Sequence, residues 1–177
     1  RTTTPLMGLY DQRDPETARQ HLYWMSALGC NGVAVDWTNY TSYRLETPGQ
    51  DWYKYTYGVY ANTEVLLKEA SSSLGFESPK IYITVRLSGE NYDALNEVLT
   101  DVYTLYEQYP EAWYCLQDGT DRASKPFLII FIDSELQKKV AEGKAIFDDE
   151  RFNIRFSNGY LSPYTEEQKD GSKSISG

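Results

Sequence analysis

The run "KIYITVRL", residues 80–87, decides the fold. Ile81, Ile83, Val85 and Leu87 are aliphatic, while Tyr82, Thr84 and Arg86 between them are aromatic or polar. Successive side chains on a strand point to opposite faces, so one face meets an apolar layer and the other carries chemistry, with Arg86 highest toward the C-terminal end. Its neighbours in sequence read the same way. "PFLIIFID", 126–133, is apolar almost throughout, as a strand buried on both faces of a parallel sheet is. "NGVAVDW", 31–37, sorts into Val33 and Val35 on the aliphatic side and Ala34 and Asp36 on the other.

Helical segments separate these strands. In "RDPETARQHLYWMSALG", Asp14 is placed to cap a helix with Pro15 at its first position and Gly29 at its end, and Ala18, Leu22, Met25 and Leu28 fall on one face. "NTEVLLKEASSSLG" from residue 62 presents Val65, Leu66, Ala70 and Leu74, with Gly75 closing it. "NYDALNEVLTDVYTLYEQYP" presents Leu95, Val98, Leu99, Val102 and Leu105. "SELQKKVAEGKAIFDD", 134–149, reads as a fourth helix interrupted by Gly143. With "PLMGLYD", 5–11, as a first strand and "RFNIRFS", 151–157, as a fifth, strands and helices alternate strictly.

That alternation predicts an α/β fold with a parallel sheet, open and doubly wound or closed into a barrel. No Gly-rich phosphate loop follows any of the strands, which counts against a nucleotide-binding open sheet and leaves no cofactor indicated. A (β/α)8 TIM-type barrel takes about 250 residues. At roughly 35 residues per unit, residues 1–177 supply a single domain holding the first five strands of such a barrel. "TEEQKDGSKSISG" at the end and Arg1 at the start read as cuts in a longer chain, so the barrel is expected to be incomplete here. Its last parallel strand would leave an open edge that invites self-association.

Composition narrows the partners. A formal net charge of -9 disfavours nucleic acid, which needs clustered Lys and Arg, and disfavours anionic membranes for the same reason. No apolar run approaches the roughly 20 residues of a membrane-spanning helix. Cys30 and Cys115 lack any zinc-like spacing, so no metal site is indicated. Aromatic residues make up 15% of the chain, with 16 Tyr and 4 Trp, more than a core of this size needs. Tyr40, Tyr43, Trp52, Tyr53, Tyr55, Tyr57 and Tyr60 gather in a segment, 38–61, that reads as one long loop. Rings of that kind suit a carbohydrate ligand, whose C–H faces pack on them, or a small core that covers the barrel. The acidic, Tyr-rich makeup leans toward an extracellular or periplasmic location.

In a parallel barrel, chemistry collects at the C-terminal ends of the strands. Asp11, Asp36 and Asp133 each end a predicted strand, and Arg86 stands at the same mouth. Asp133 is equally well placed as the N-cap of the helix that follows, whereas no helix directly follows Asp36. His21, the one histidine, lies on the first helix away from the strand ends.

The stretch "GLYDQRDPETARQHLYWMSALGCNGVAVDW" resembles the opening of the glycoside hydrolase family 99 and family 71 barrels, and "YPEAWYCLQDGTDRASKPFLIIFID" resembles their approach to the fourth strand. The likeness covers about 130 residues as a pattern. It implies a barrel enzyme cleaving α-linked glycans, mannans in family 99 and α-1,3-glucans in family 71, with carboxylates at the barrel mouth. Carried over, it points to Tyr10, Asp36 and Trp37 as sugar contacts. The essential glutamates of family 99 come late in the barrel, and no segment of this chain matches them. Glycoside hydrolysis generally uses two carboxyl groups, one protonated as acid and one ionised. Asp36 and Asp133 are the catalytic pair the sequence offers, with Glu135 behind them and Asp11 and Arg86 as further substrate contacts. The rival reading is a carbohydrate-binding or structural barrel without turnover.

Overall fold

The computed structural model describes residues 7–118, 121–144 and 146–158. In chain order these form α1 (Pro15–Ala27), β1 (Gly32–Asp36), α2 (Asp51–Ala70), β2 (Lys80–Leu87), α3 (Tyr92–Gln108), β3 (Cys115–Asp118), β4 (Asp121–Ile132), α4 (Ser134–Ala141) and β5 (Asn153–Asn158). β1, β2, β4 and β5 pair in that order, all parallel. Each parallel strand lies beside the one before it in the chain, with no point at which the order reverses. That is the order of a barrel wall, and it departs from the doubly wound alternative.

The alternation read from "KIYITVRL" is what holds the sheet to its helices. Ile81, Ile83 and Val85 are fully buried and Leu87 nearly so, while Arg86 is exposed and Tyr82 and Thr84 are half-buried. Leu128, Ile130 and Ile132 of β4 continue the buried face. They join one cluster with Leu22 of α1, Leu67 of α2, Leu95, Leu99, Val102 and Leu105 of α3, and Leu136 of α4. All four helices therefore lie on the same side of the sheet. Each such side chain contributes about 1.5–3 kcal/mol on burial, which makes this layer the main source of stability.

Helix ends follow the capping signals. Asp14 accepts from the Glu16 N–H at the start of α1, and Gly29 (φ +80°) provides the left-handed turn beyond its end. Asn91 caps α3 through the Ala94 N–H, and Asp133 caps α4. Arg19 of α1 reaches the nearly buried carboxylate of Glu69 on α2 at 2.6 Å, which ties the first two helices together.

Four expectations need correction. No strand forms over the described part of 5–11: Gly8 has a positive φ of 71°, Leu9 is fully exposed, and Tyr10 is 43% exposed. The segment 38–61 is not a loop throughout, because α2 begins at Asp51, eleven residues before the predicted start. Only 38–50 connects, with a 3-10 turn at Tyr43–Leu45. α4 stops at Ala141, as Gly143 adopts φ +72°. An unpredicted strand, β3, runs antiparallel to the first half of β4, pairing Cys115 with Pro126 and Leu116 with Lys125. It occupies the end of β4 away from the strand C-termini, so it takes no part in the mouth. Among the described residues β1 and β5 each keep one edge without a neighbouring strand.

Ile83 sits in the middle strand pair, facing the helices and in register with Val35 and Leu128. Ile83→Ala is expected to destabilise the protein by about 2–5 kcal/mol, read as a lower urea midpoint at unchanged slope.

Candidate functional site

The inward phase of three strands builds a cavity at their C-terminal ends. Asp36 is in register with Thr84, and Arg86 with Phe131, so β1, β2 and β4 place these side chains on the face without helices. With Thr38 they line a space of about 390 Å³. A second space of about 400 Å³ adjoins it between the loop after β1 and the start of α3, and shares Thr38 and Arg86 with the first. Asn39, Thr41, Glu46, Ser88 and Asn91 add hydroxyl, amide and carboxylate groups to its wall. The two spaces form one cleft of about the size that takes small ligands.

Asp36 is held as an anion. The Thr38 hydroxyl and then the Thr38 N–H, which donates to Oδ1 at 2.8 Å, keep its carboxyl below the usual range against a modest opposing effect of burial. Arg86 is exposed, with its charge felt at Asp133. The loop over the cleft is anchored from beneath by a buried carboxylate. Asp101 on α3 is fully buried, accepts from the Tyr40 hydroxyl at 2.8 Å, and pairs with Arg44 Nε at 2.9 Å. Burial, with Asp101 next, pushes the Tyr40 phenol far above its ordinary value, so it stays a donor. A buried carboxylate is tolerable only with such partners, so residues 40–44 are pinned to α3.

Asp133 is a structural group. Its Oδ1 accepts from the Glu135 and Leu136 N–H groups at 3.0 Å each, and its Oδ2 accepts from the Gly89 N–H at 3.0 Å. These donors, led by Leu136 and Gly89, lower its pKa. It caps α4 and clamps the loop after β2, and it lines neither part of the cleft. The pairing with Asp36 fails on distance as well. Asp36 is level with Thr84 and hence with Ile129, four residues short of Asp133 and two strands away. At roughly 3.3 Å per residue and 4.8 Å per strand, their backbones are about 16 Å apart. Glycosidase carboxyl pairs are separated by about 5–9.5 Å. With both carboxyls lowered in pKa, neither is set up as a proton donor.

The remaining candidates separate. Trp37 is buried to 1% exposure, its Nε1–H donates to Thr63 Oγ1 at 2.9 Å, and its ring lies 4.3 Å from that of Tyr40. It follows Val33 and Val35 in the outward phase and is a core residue, which corrects its reading as a sugar contact. Tyr10 packs edge-on against His21 of α1 at 5.4 Å, and Asp11 pairs with Arg13 at 3.2 Å. The Arg13 N–H and side chain lower the Asp11 pKa. Neither Tyr10 nor Asp11 lines the cleft. Glu135 lies exposed in the first turn of α4. A separate cavity of about 170 Å³ lies on the helix side of the sheet, with His21, Asn62 and the outward-facing Val35 in its wall. Thr38, Ser88 and Asn91 were not singled out from sequence. Their signal is position alone, since they follow the ends of β1 and β2.

Among the described residues no helix is long and apolar enough to cross a membrane, and no group of three or more His, Cys, Asp or Glu is arranged to hold a metal. Cys30 and Cys115 are both free thiols.

Sheet order, helices on one face and a cleft at the strand ends define an α/β fold that forms part of a TIM-type barrel. Comparison with solved structures agrees. The chain is similar to the GH99 endo-alpha-mannosidase from Bacteroides thetaiotaomicron, with a TM-score of 0.54 and 18% identity over 94% of this chain and 43% of that one. A second structure of a GH99 endo-alpha-mannosidase from that organism, in complex with BIS-TRIS-propane, gives a TM-score of 0.54 and 17% identity over 94% and 45%. The fold resembles the N-terminal part of that barrel, and the chain spans less than half the length of these solved relatives. No family model matches the sequence, and no match was found among curated proteins.

Because the Asp133 carboxyl is depressed in the folded state, its contribution is fully present above the unfolded pKa of about 3.9 and is lost as pH falls through the lower folded value. Asp133→Ala is expected to cost about 0.5–2 kcal/mol at pH 7. The gap from the wild type should narrow below about pH 3.9, measured by urea denaturation across pH.

Proposed function

We propose that this chain forms the substrate-holding wall of a glycoside hydrolase-like barrel that acts on an α-linked glycan. The observation that carries the reading is the cleft at the ends of β1, β2 and β4, where Asp36, Thr38 and Arg86 stand together. A sugar offers many hydroxyls, each both donor and acceptor, on a ring with an apolar C–H face. Asp36, kept ionised, accepts from two adjacent hydroxyls. Arg86 and Asn91 donate to hydroxyl oxygens, and the Phe131 ring, level with Arg86, offers a flat apolar surface in the same wall. The likeness to two endo-alpha-mannosidase structures supports α-mannosides as the first glycans to try.

For turnover, a protonated carboxyl must deliver its proton to the leaving oxygen while an ionised one acts from the other side. Asp36 suits the ionised role or the binding of a hydroxyl close to the bond. The lowered pKa and remote position of Asp133 remove it from the donor role. We assign the donor to the further part of the barrel that the solved relatives possess. The same two facts about Asp133 favour the second reading, a glycan-binding wall without turnover.

Wild-type protein is expected to bind soluble α-mannan in affinity electrophoresis. Asp36→Asn and Arg86→Ala are each expected to weaken it by about tenfold or more, since each removes charge-assisted hydrogen bonds worth about 1.5–3 kcal/mol. Mannan binding insensitive to both changes would refute the cleft assignment. Release of reducing sugar by the full-length protein separates turnover from binding alone.

A further inference from the structure

Among the exposed rings of α2, Trp52 and Tyr55 form a pair outside the core. Trp52 is 48% exposed and Tyr55 46% exposed, whereas the helix packs inward through Thr56, Tyr60, Thr63 and Leu67. The two rings lie 4.9 Å apart with their planes 24° from parallel. They are one helical turn apart, as residues at i and i+3 are, so each covers part of its neighbour and leaves surface open to solvent.

The posture of Trp52 is fixed. Trp52 Nε1–H donates to Thr41 Oγ1 at 3.0 Å, and the Thr41 hydroxyl donates in turn to Glu46 Oε1 at 3.2 Å. Thr41 and Glu46 both line the cleft at the strand ends. The indole is thereby locked to the loop 38–46, and that loop is pinned through Tyr40 and Arg44 to the buried Asp101. Asp51 and Lys54, each one residue before a ring in the sequence, form an exposed ion pair at 3.2 Å.

We propose that Trp52 and Tyr55 form an auxiliary saccharide-binding platform, continuous with the cleft through Thr41 and taking a sugar residue of a chain already held at the strand ends. This rests on the glycan reading of the cleft and extends it to a polymeric ligand. The chemistry selects the occupant. A pyranose buries its C–H face on an aromatic plane while its equatorial hydroxyls reach polar groups around the rim. Two near-parallel rings, one of them anchored to the Thr41 hydroxyl, meet that demand at little ordering cost. The site adds length specificity, because a ligand must span from Arg86 past Thr41 to use both.

The test is affinity electrophoresis in soluble α-mannan with the same chain. Trp52→Ala and Tyr55→Ala are each expected to weaken retardation about tenfold, the change that about 1.4 kcal/mol produces. Trp52→Phe should retain most of the affinity, and Tyr23→Ala, an exposed aromatic change on α1, should leave it unaltered. Tyr55→Ala is the stricter variant, since Trp52 also bonds to the cleft loop. If Trp52→Ala weakens binding and Tyr55→Ala does not, the effect runs through Thr41 and the platform is overturned. If neither variant changes binding while Asp36→Asn does, the platform is overturned and the cleft stands. If wild-type protein is not retarded by mannan, both readings fall.

Discussion

A side chain on a parallel strand in this protein has two destinations, the helix layer or the open face, and the choice alternates at every residue. This constraint on β2 and its neighbours organises the molecule. Ile81, Ile83, Val85 and Leu87 commit one face to α1 through α4, so Thr84 and Arg86 have to emerge on the other. Asp36 and Phe131 come to the same place because parallel register puts them level with Thr84 and Arg86. The cleft is thus a by-product of core packing, which is why it can be rigid without a core of its own.

Two carboxylates then fix the loops around it, and in opposite ways. Asp101 acts from inside the protein, where its full burial demands both the Tyr40 hydroxyl and the Arg44 guanidinium. Asp133 acts from the rim, where main-chain N–H groups of α4 and of Gly89 share its two oxygens. The loop after β1 is therefore tied to α3, and the loop after β2 to α4. Preorganised polar groups bind a hydroxyl-rich ligand with less ordering cost than mobile ones.

Most of the wall was legible in the sequence because its signals are long and unambiguous. β2, β4 and α3 carry periods of 2 or 3.6, or unbroken apolar runs, that admit one reading. Asp36 and Arg86 followed from strand phase. That phase also condemned Trp37, which shares the outward face with Val33 and Val35; the aromatic label and the likeness to sugar-binding barrels drew the reading the other way. The start of α2 was hidden because Tyr53, Tyr55 and Tyr57 mimic a strand's period of 2 and because Gly58 costs a helix interior about 1 kcal/mol. Packing of Tyr60, Thr63 and Leu67 overrides both. β3 escaped because four residues carry too little pattern. Asp133 was ambiguous in principle, since strand end and helix cap coincide at one residue.

The most direct measurement of the central claim is a titration of isotope-labelled protein with a soluble α-mannan, followed by amide chemical shifts. Shifts centred on Thr38, Thr84, Arg86, Ser88 and Asn91 are the predicted result, since these residues surround the cleft. Shifts confined to the cavity beside His21, or no shift at any mannan concentration, would contradict it.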